Sequence, residues 1–182
     1  GASVAVGVLG NDDDPNPADL ISVVARFVSS PTHGTVVVNG DGTITYTSTR
    51  GFVGVDTFTY TVTDGTDTAS STVTVNVTNV VPVAVDDGAS TASATSVTID
   101  VLGNDTDPSG DDLSVVGASQ PVSGSTVVNA DGTVTYTPAR GFRGLDTFTY
   151  SITDGLDTAS ATVRVTVANA VELRSAKAAL AK

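Results

Sequence analysis

The chain has 182 residues, which allows one or two domains, and a formal net charge of −12. This charge argues against a nucleic-acid partner, whose phosphates require a basic surface, and has the wrong sign for an anionic membrane surface. The sequence has no apolar run long enough for a membrane-spanning helix and no cysteine, which excludes disulfides and thiolate metal sites.

The choice of residue types indicates an all-β protein. Nineteen of the twenty acidic residues are Asp and only Glu172 is Glu, while Val and Thr dominate the remainder. Val and Thr favour strands, and Asp and Gly favour turns. The composition therefore predicts many short strands joined by tight turns.

An acidic loop at residues 11–19 follows the first strand-like segment, residues 3–9. Its oxygen-bearing side chains are Asn11, Asp12, Asp14 and Asp19. Carboxylates at positions i and i+2, then a turn and another carboxylate, suit calcium, which takes 6–8 oxygen ligands. The competing interpretation is that Asn, Asp and Pro simply form turns here. A second copy of the loop at residues 104–112, again after Val-Leu-Gly, favours calcium.

The chain contains an internal repeat. Residues 41–79 align with residues 131–169 at an offset of 90, and 27 of the 39 aligned residues are identical. The acidic loops align at an offset of 93, so the second copy is three residues shorter between the loop and Gly124. We predict two domains, residues 1–79 and 80–169, each a copy of one module.

The second copy shows seven predicted strands. Strict alternation of apolar and polar residues, as in residues 159–168, marks sheets that are covered on one face. Seven such strands with a turn every eight to twelve residues predict an immunoglobulin-like β-sandwich. The predicted strands A to G are residues 83–91, 97–102, 113–118, 125–129, 133–137, 146–153 and 159–168.

Alternating strand directions would bring the loops between strands B and C, D and E, and F and G to one end of the sandwich. That end would gather most of the acidic side chains of the module, which predicts a metal site there. The predicted calcium ligands of the second copy are Asn104, Asp105, Asp107, Asp111, Asp112, Asp154 and Asp87; those of the first copy are Asn11, Asp12, Asp14, Asp19 and Asp64.

The first copy begins at the residues that match strand B, so the pattern of its strand A is absent from the sequence given. Two interpretations are open: the strand precedes this fragment, or it comes from another chain by edge pairing. Residues 170–182 break the composition, being basic and helix-prone, and we interpret them as a linker or a fragment of a following domain.

Several motifs recur in order in both copies: Val-Leu-Gly-Asn-Asp-x-Asp-Pro, Asp-Gly-Thr-[Ile/Val]-Thr-Tyr-Thr and Gly-Phe-x-Gly-x-Asp-Thr-Phe-Thr-Tyr. This pattern resembles the bacterial cadherin-like tandem repeats of the VCBS type found in large secreted surface adhesins. The resemblance implies an extracellular array of β-sandwiches, often stiffened by calcium, that supports cell adhesion or biofilm structure. Ala18 stands where the second copy has Asp111, and the tail matches nothing in the family pattern.

No constellation for catalysis is visible. The single histidine, His33, is replaced by Ser123 in the second copy, and the aspartates lie in polar turns without the aromatic platform of a sugar-binding cleft. We therefore expect a non-enzymatic spacer whose partners are neighbouring repeats of the same chain and a cell-surface or glycan receptor. Two alternatives are a carbohydrate-binding module and a fibre subunit assembled by strand exchange.

Overall fold

The computed structural model describes residues 1–16 and 19–169. The chain divides into two compact units. The first unit is Gly1–Asn79 with Ser109–Asp111, and the second is Val80–Pro108 with Asp112–Lys182. The predicted tail, residues 170–182, lies outside the described residues.

The first unit is a sandwich of two three-stranded sheets, with one 3-10 turn at Ala25–Phe27. One sheet has the order β1-β4-β3 and the other β2-β5-β6. The strands are β1 (Ser3–Val6), β2 (Ser22–Val23), β3 (Gly34–Val38), β4 (Ile44–Ser48), β5 (Gly54–Thr63) and β6 (Thr68–Val77).

The second unit has the same plan with one additional strand. Its sheets have the orders β10-β11-β8 and β7-β13-β12-β9, and β7 runs parallel to β13. The strands are β7 (Asp87–Ala92), β8 (Val97–Ile99), β9 (Ser114–Ala118), β10 (Gly124–Val128), β11 (Val134–Pro138), β12 (Gly144–Thr153) and β13 (Thr158–Ala168).

Strand pairing confirms that β1 is the counterpart of β8, the second strand of the second unit. Val4 is opposite Tyr46 in the first unit, as Val97 is opposite Tyr136 in the second. Within the described residues, no strand of the first unit corresponds to β7. The predicted fold class is therefore confirmed: two tandem β-sandwiches, of which the first lacks its initial strand.

The alternating pattern of β12 and β13 places their apolar side chains inward, as predicted. Phe148, Tyr150 and Ile152 are buried, and so are Val163, Val165 and Val167, while Arg164 and Thr166 are exposed. In the second unit, two strand ends differ from prediction by three or more residues, and the others by at most two. Strand β7, predicted to begin at residue 83, begins at Asp87, because Val83 makes only an isolated bridge to Thr106. Strand β8 ends at Ile99, and the chain then turns into the acidic loop.

Each unit has one buried carboxylate that connects two strands. It connects β4 to β5 in the first unit and β11 to β12 in the second. Asp56 accepts hydrogen bonds from the backbone N–H groups of Thr32, His33 and Thr57 and from the Tyr46 hydroxyl. Burial acts to raise the pKa of Asp56, but these four donors together lower it below its usual value. Asp146 likewise accepts from Ser123 N–H and the Tyr136 hydroxyl. This contact holds the long strand against the opposite sheet.

Candidate metal centre

Three carboxylates of the first unit converge at one end of its sandwich. Oxygen atoms of Asp14, Asp19 and Asp64 all lie within 4.8 Å of one another. Asp14 and Asp19 come from the loop between β1 and β2, and Asp64 comes from the turn between β5 and β6. We call these three residues the acidic triad. The convergence of these two loops is the arrangement that alternating strand directions predict.

The turn after β5 fixes the position of Asp64. Its Oδ1 accepts hydrogen bonds from the N–H groups of Thr66 at 2.6 Å and Asp67 at 2.7 Å. The bonds from Asp67 and Thr66 lower the pKa of Asp64, so its carboxyl group is ionised at neutral pH. Because both bonds use Oδ1, Oδ2 is available to a cation.

The loop before β2 is held by a similar set of local contacts. Asn16 N–H donates to Asp14 Oδ1 at 2.7 Å, and the Asn16 side-chain amide donates to Asp19 Oδ2 at 2.7 Å. The Asp19 N–H donates to the carbonyl oxygen of Asn16 at 3.0 Å. Asn16 therefore connects the two loop carboxylates of the triad.

The triad is partly open to solvent, since Asp14 and Asp64 are half-buried and Asp19 is exposed. Three like charges at this spacing repel one another, and a divalent cation would reverse the sign of that interaction. Carboxylate oxygens are hard ligands, which calcium and magnesium prefer. Three monodentate carboxylates leave room for water or backbone oxygens in a calcium shell of 6–8 ligands.

Two other predicted ligands of the first loop lie outside the triad. Asp12 accepts hydrogen bonds from the Tyr60 hydroxyl on both carboxylate oxygens, each at 3.1 Å. The Val8 carbonyl oxygen lies 3.2 Å from the same hydroxyl and is an alternative acceptor for its one hydrogen. Asn11 is exposed in the preceding turn. The structure thus places Asp12 against the core tyrosine of β5.

The second unit repeats this tyrosine contact. The Tyr150 hydroxyl oxygen lies 3.0 Å from both oxygens of Asp105 and 3.0 Å from the carbonyl oxygen of Val85, so its one hydrogen has three acceptors within reach. Asp105 Oδ1 also accepts from Val85 N–H at 2.7 Å, and the Asn104 amide donates to the Val85 carbonyl at 3.3 Å. Asn104 and Asp105 therefore connect the loop to the residues before β7.

Asp87, the first residue of β7, lies beside this group. Burial raises its pKa, and the nearby carboxylates of Asp105 and Asp100 raise it further, whereas the polar side chains of Tyr150 and Asn104 act to lower it. Its Oδ2 is buried without a hydrogen-bond partner among residues 1–16 and 19–169. Asp105 is thus close enough for its negative charge to raise the pKa of Asp87.

Asp107, Asp112 and Asp154 are the repeat counterparts of the triad. Asp154 forms the same turn as Asp64, accepting from Leu156 and Asp157 N–H groups at 2.7 and 2.6 Å. Within the described part of the chain, however, only Asp14, Asp19 and Asp64 meet at this spacing. Asp111 falls within the first unit as that unit is defined above.

Sequence reasoning did not find the tyrosine contacts. Tyr60 and Tyr150 stand at inward positions of alternating strands, where the alternation alone predicts a core side chain. Burial of a tyrosine requires a partner for its hydroxyl, and that requirement was the available signal.

The comparisons with known proteins bear on this fold. The family model described as the bacterial Ig domain matches residues 1–78 and again residues 79–166. The chain belongs to the bacterial Ig domain family. Residues 1–78 are the first Ig domain and residues 79–166 the second. No curated protein matches the chain.

Solved structures that the chain matches include an endo-fucoidan hydrolase, MfFcnA4, of glycoside hydrolase family 107. It is 20% identical, with 83% of this chain covering 24% of that one at a TM-score of 0.37. Drosophila N-cadherin EC1-4 is 16% identical, with coverages of 82% and 41% and a TM-score of 0.33. Surface layer protein SbsC, domains 4–9, is 19% identical, with coverages of 82% and 22% and a TM-score of 0.35. The chain spans about a quarter of the first hydrolase structures it matches.

No helix in the described residues is both long enough and apolar enough to cross a membrane.

Proposed function

We propose that the two Ig domains form a non-enzymatic spacer segment of an extracellular bacterial adhesin of the VCBS type, and that calcium stiffens it. The observation that carries the proposal is the acidic triad, in which Asp14 and Asp19 of one loop meet Asp64 of another. A cation bound there joins the loop between β1 and β2 to the turn between β5 and β6, which are separated in sequence by strands β2 to β5. Neighbouring repeats are its mechanical partners.

Calcium suits the triad better than magnesium. Magnesium demands near-octahedral geometry and loses its water reluctantly, whereas calcium accepts irregular shells of carboxylates, backbone oxygens and water. Extracellular modules bind calcium with dissociation constants of about 10⁻⁴ to 10⁻³ M. When the free calcium concentration is about ten times the dissociation constant, a single site adds about 1.4 kcal/mol to the free energy of unfolding. This amount orders a loop without being required for folding.

The negative charge of the chain supports the same role. Self-repulsion at −12 opposes the compact state, and bound divalent cations reduce it locally. A spacer of this kind is stiff outside the cell, where calcium is plentiful, and becomes more flexible when calcium is removed. Its contribution to adhesion or biofilm structure is to hold a binding domain away from the surface, with no chemistry of its own.

The substitution Asp64→Asn tests the triad most cleanly. Asparagine keeps an acceptor oxygen for the N–H groups of Thr66 and Asp67, so the turn is retained while one negative charge is lost. We expect calorimetric titration to show calcium binding to the wild-type chain and at least about tenfold weaker binding at this site in the variant, the effect of losing one charged ligand.

Asp13→Asn is the matched control, since it removes the same charge from an exposed residue beside Asp14 but outside the triad. The control should bind calcium nearly as tightly as the wild type. Equal weakening in both variants would indicate a diffuse ion atmosphere, and unchanged binding in Asp64→Asn would refute the triad as a site.

A further inference from the structure

Each unit has a groove beside one of its hairpin turns, separate from the acidic triad. The first groove has a volume of about 320 Å³ and lies between the β3–β4 turn and the start of β2. Its apolar lining consists of Leu9, Ile21, Val23 and Val38. A volume near about 300 Å³, with an apolar floor and a few polar groups, is typical of small-molecule sites.

The second groove repeats the first. It has a volume of about 290 Å³ and lies between the β10–β11 turn and the start of β9. Its leucine and valine residues occupy the places of Leu9, Ile21 and Val23, and they are Leu102, Leu113 and Val115. Because both copies form the groove, it is a property of the module and not of one loop.

The hairpin turn that forms one wall of each groove is held by its own contacts. In the first groove the Asn39 amide donates to the Thr43 and Thr45 hydroxyls at 2.8 and 2.9 Å. Gly42 has a φ of +84°, and a Cβ there would lie 3.1 Å from Leu9 Cδ1, so the turn packs closely on this leucine. Asn129 makes the same two amide contacts in the second groove. The wall is therefore formed before any ligand arrives, which lowers the entropic cost of binding.

One carboxylate of the turn lines each groove, Asp41 in the first and Asp131 in the second. Asp41 Oδ1 accepts from the Thr43 hydroxyl at 2.7 Å and from the Thr43 N–H at 3.0 Å. These two bonds lower the pKa of Asp41, so its carboxyl group is ionised at neutral pH. Asp131 makes the same pair of bonds with Thr133. Because both bonds use Oδ1, Oδ2 is available to a ligand.

A second carboxylate adjoins the opposite wall of each groove in sequence. In the first unit Asp19 is two residues before Ile21, and in the second unit Asp112 directly precedes Leu113. Among the described residues that line the two grooves, none is Lys, Arg or His. Each groove thus combines an apolar floor with negative charge on both sides.

We propose that each groove binds an aliphatic diamine, in which an alkyl chain separates two primary ammonium groups. The alkyl chain covers the leucine and valine side chains of the floor, and one ammonium group donates to Oδ2 of Asp41 or Asp131. The second ammonium group faces the carboxylate next to the opposite wall. An anionic ligand is repelled, a neutral ligand gains nothing from the charge, and a metal ion gains nothing from the apolar floor.

NMR of the methyl groups of the full chain, titrated without calcium, tests this proposal. The probes are hexamethylenediamine, hexanediol and adipate, which share a six-carbon chain and carry two positive charges, none and two negative charges. With the diamine alone we expect saturable shifts of the Leu9 and Val38 methyl groups in the first groove and of the Leu102 and Leu113 methyl groups in the second. Ethylenediamine has the same charge but four fewer methylene groups. It should bind at least about tenfold more weakly, because each buried methylene is worth a factor of about four.

The substitutions Asp41→Asn and Asp131→Asn make each groove the control for the other. Asparagine keeps an acceptor oxygen for Thr43 or Thr133, so the turn is retained while the charge is lost. Asp41→Asn should weaken diamine binding to the first groove by about two- to fivefold, the range of an exposed ion pair, and leave the second groove unchanged. Asp131→Asn should have the reverse effect.

Four results would overturn the proposal. Equal binding of hexanediol and the diamine would show that charge is not recognised. Equal binding of ethylenediamine would indicate diffuse attraction of dications to a chain with a net charge of −12. The other two are methyl shifts that do not saturate and equal weakening of both grooves by one substitution. Because calcium is absent from these titrations, none of these results bears on the acidic triad.

Discussion

Four tyrosines supply polar contacts inside the two domains, and each hydroxyl donates to an aspartate. Tyr46 and Tyr136 reach the buried carboxylates of Asp56 and Asp146. Tyr60 and Tyr150 reach Asp12 and Asp105 at the start of the acidic loops. The contacts of Tyr60 and Tyr150 connect the cores to the acidic loops, whereas those of Tyr46 and Tyr136 connect the two sheets of each sandwich.

Removing one of these hydroxyls should destabilise the second domain. Tyr136→Phe deletes the donor 2.9 Å from Asp146 Oδ2, and Asp146 is only 5% exposed. A buried carboxylate that loses a donor costs about 1–3 kcal/mol in the free energy of unfolding. Urea titration followed by circular dichroism measures the change. The Thr147→Ser substitution on the exposed side of β12 is the control; equal midpoints for all three proteins would contradict the argument.

Alkaline pH should destabilise the first domain. Burial, followed by the hydrogen bond and the negative charge of Asp56, raises the pKa of Tyr46 to about 12. An unfolded tyrosine titrates near about 10, so the folded pKa is the higher one and the stabilisation is complete below about pH 10.

The free energy of unfolding should therefore fall as pH rises from about 10 to about 12. Urea midpoints across this range measure it, with Tyr46→Phe as the comparison. If the free energy of unfolding of Tyr46→Phe fell as steeply with pH as that of the wild type, groups other than Tyr46 would cause the effect.

At the level of strands, the repeat places equivalent valines of β13 and β6 in two different environments. Val165 is covered by β7 and 0% exposed, while Val75 on the open edge of β6 is half-buried. Much of the difference between the two domains therefore comes from one short strand of small residues.

A pair of alanine substitutions measures this difference. Val165→Ala should cost about 2 kcal/mol in the free energy of unfolding, the transfer of two methyl groups plus a cavity. Val75→Ala should cost clearly less, because those methyl groups are already partly hydrated. Chemical denaturation of each variant supplies the values, and a larger loss for Val75→Ala would show that the β6 edge is covered in solution.

Strand periodicity made much of this fold predictable from the sequence. Alternation in residues 146–153 and 159–168 assigned the inward side chains of β12 and β13 correctly, because a period of two leaves only one buried face. The ends of β7 and β8 were less predictable, since Val83 and Val101 are apolar in sequence but lie outside the ladders.

The candidate site was predictable only in part. Topology indicated that the loop of Asp14 and Asp19 approaches the turn of Asp64. The contacts of Asp12 with Tyr60, and of Asp105 with Tyr150, depend on how a ring in the core reaches a loop far away in sequence. A pattern of acids at i and i+2 does not distinguish a carboxylate that faces a cation from one that faces a tyrosine.

For the whole molecule, the two domains should differ in stability. Among the residues that the structure describes, the core of the second domain contains eleven buried residues and that of the first contains five. Because buried apolar area provides most of the stabilisation, the first domain should unfold more readily.

Hydrogen exchange measured by mass spectrometry checks this order. Peptides from β4 and β5 should exchange faster than the equivalent peptides from β11 and β12. The sequence matches between the repeats make these peptides their own control. Slower exchange in the first domain would contradict the assignment of its open edge.

Anomalous X-ray diffraction can show directly whether calcium binds at the acidic triad. The measurement is a structure of the 182-residue chain crystallised with calcium well above the millimolar range. We expect an anomalous peak that is surrounded by oxygens of Asp14, Asp19 and Asp64, at calcium–oxygen distances of about 2.3–2.6 Å. Well-defined water among these three carboxylates, with no anomalous density, would contradict it.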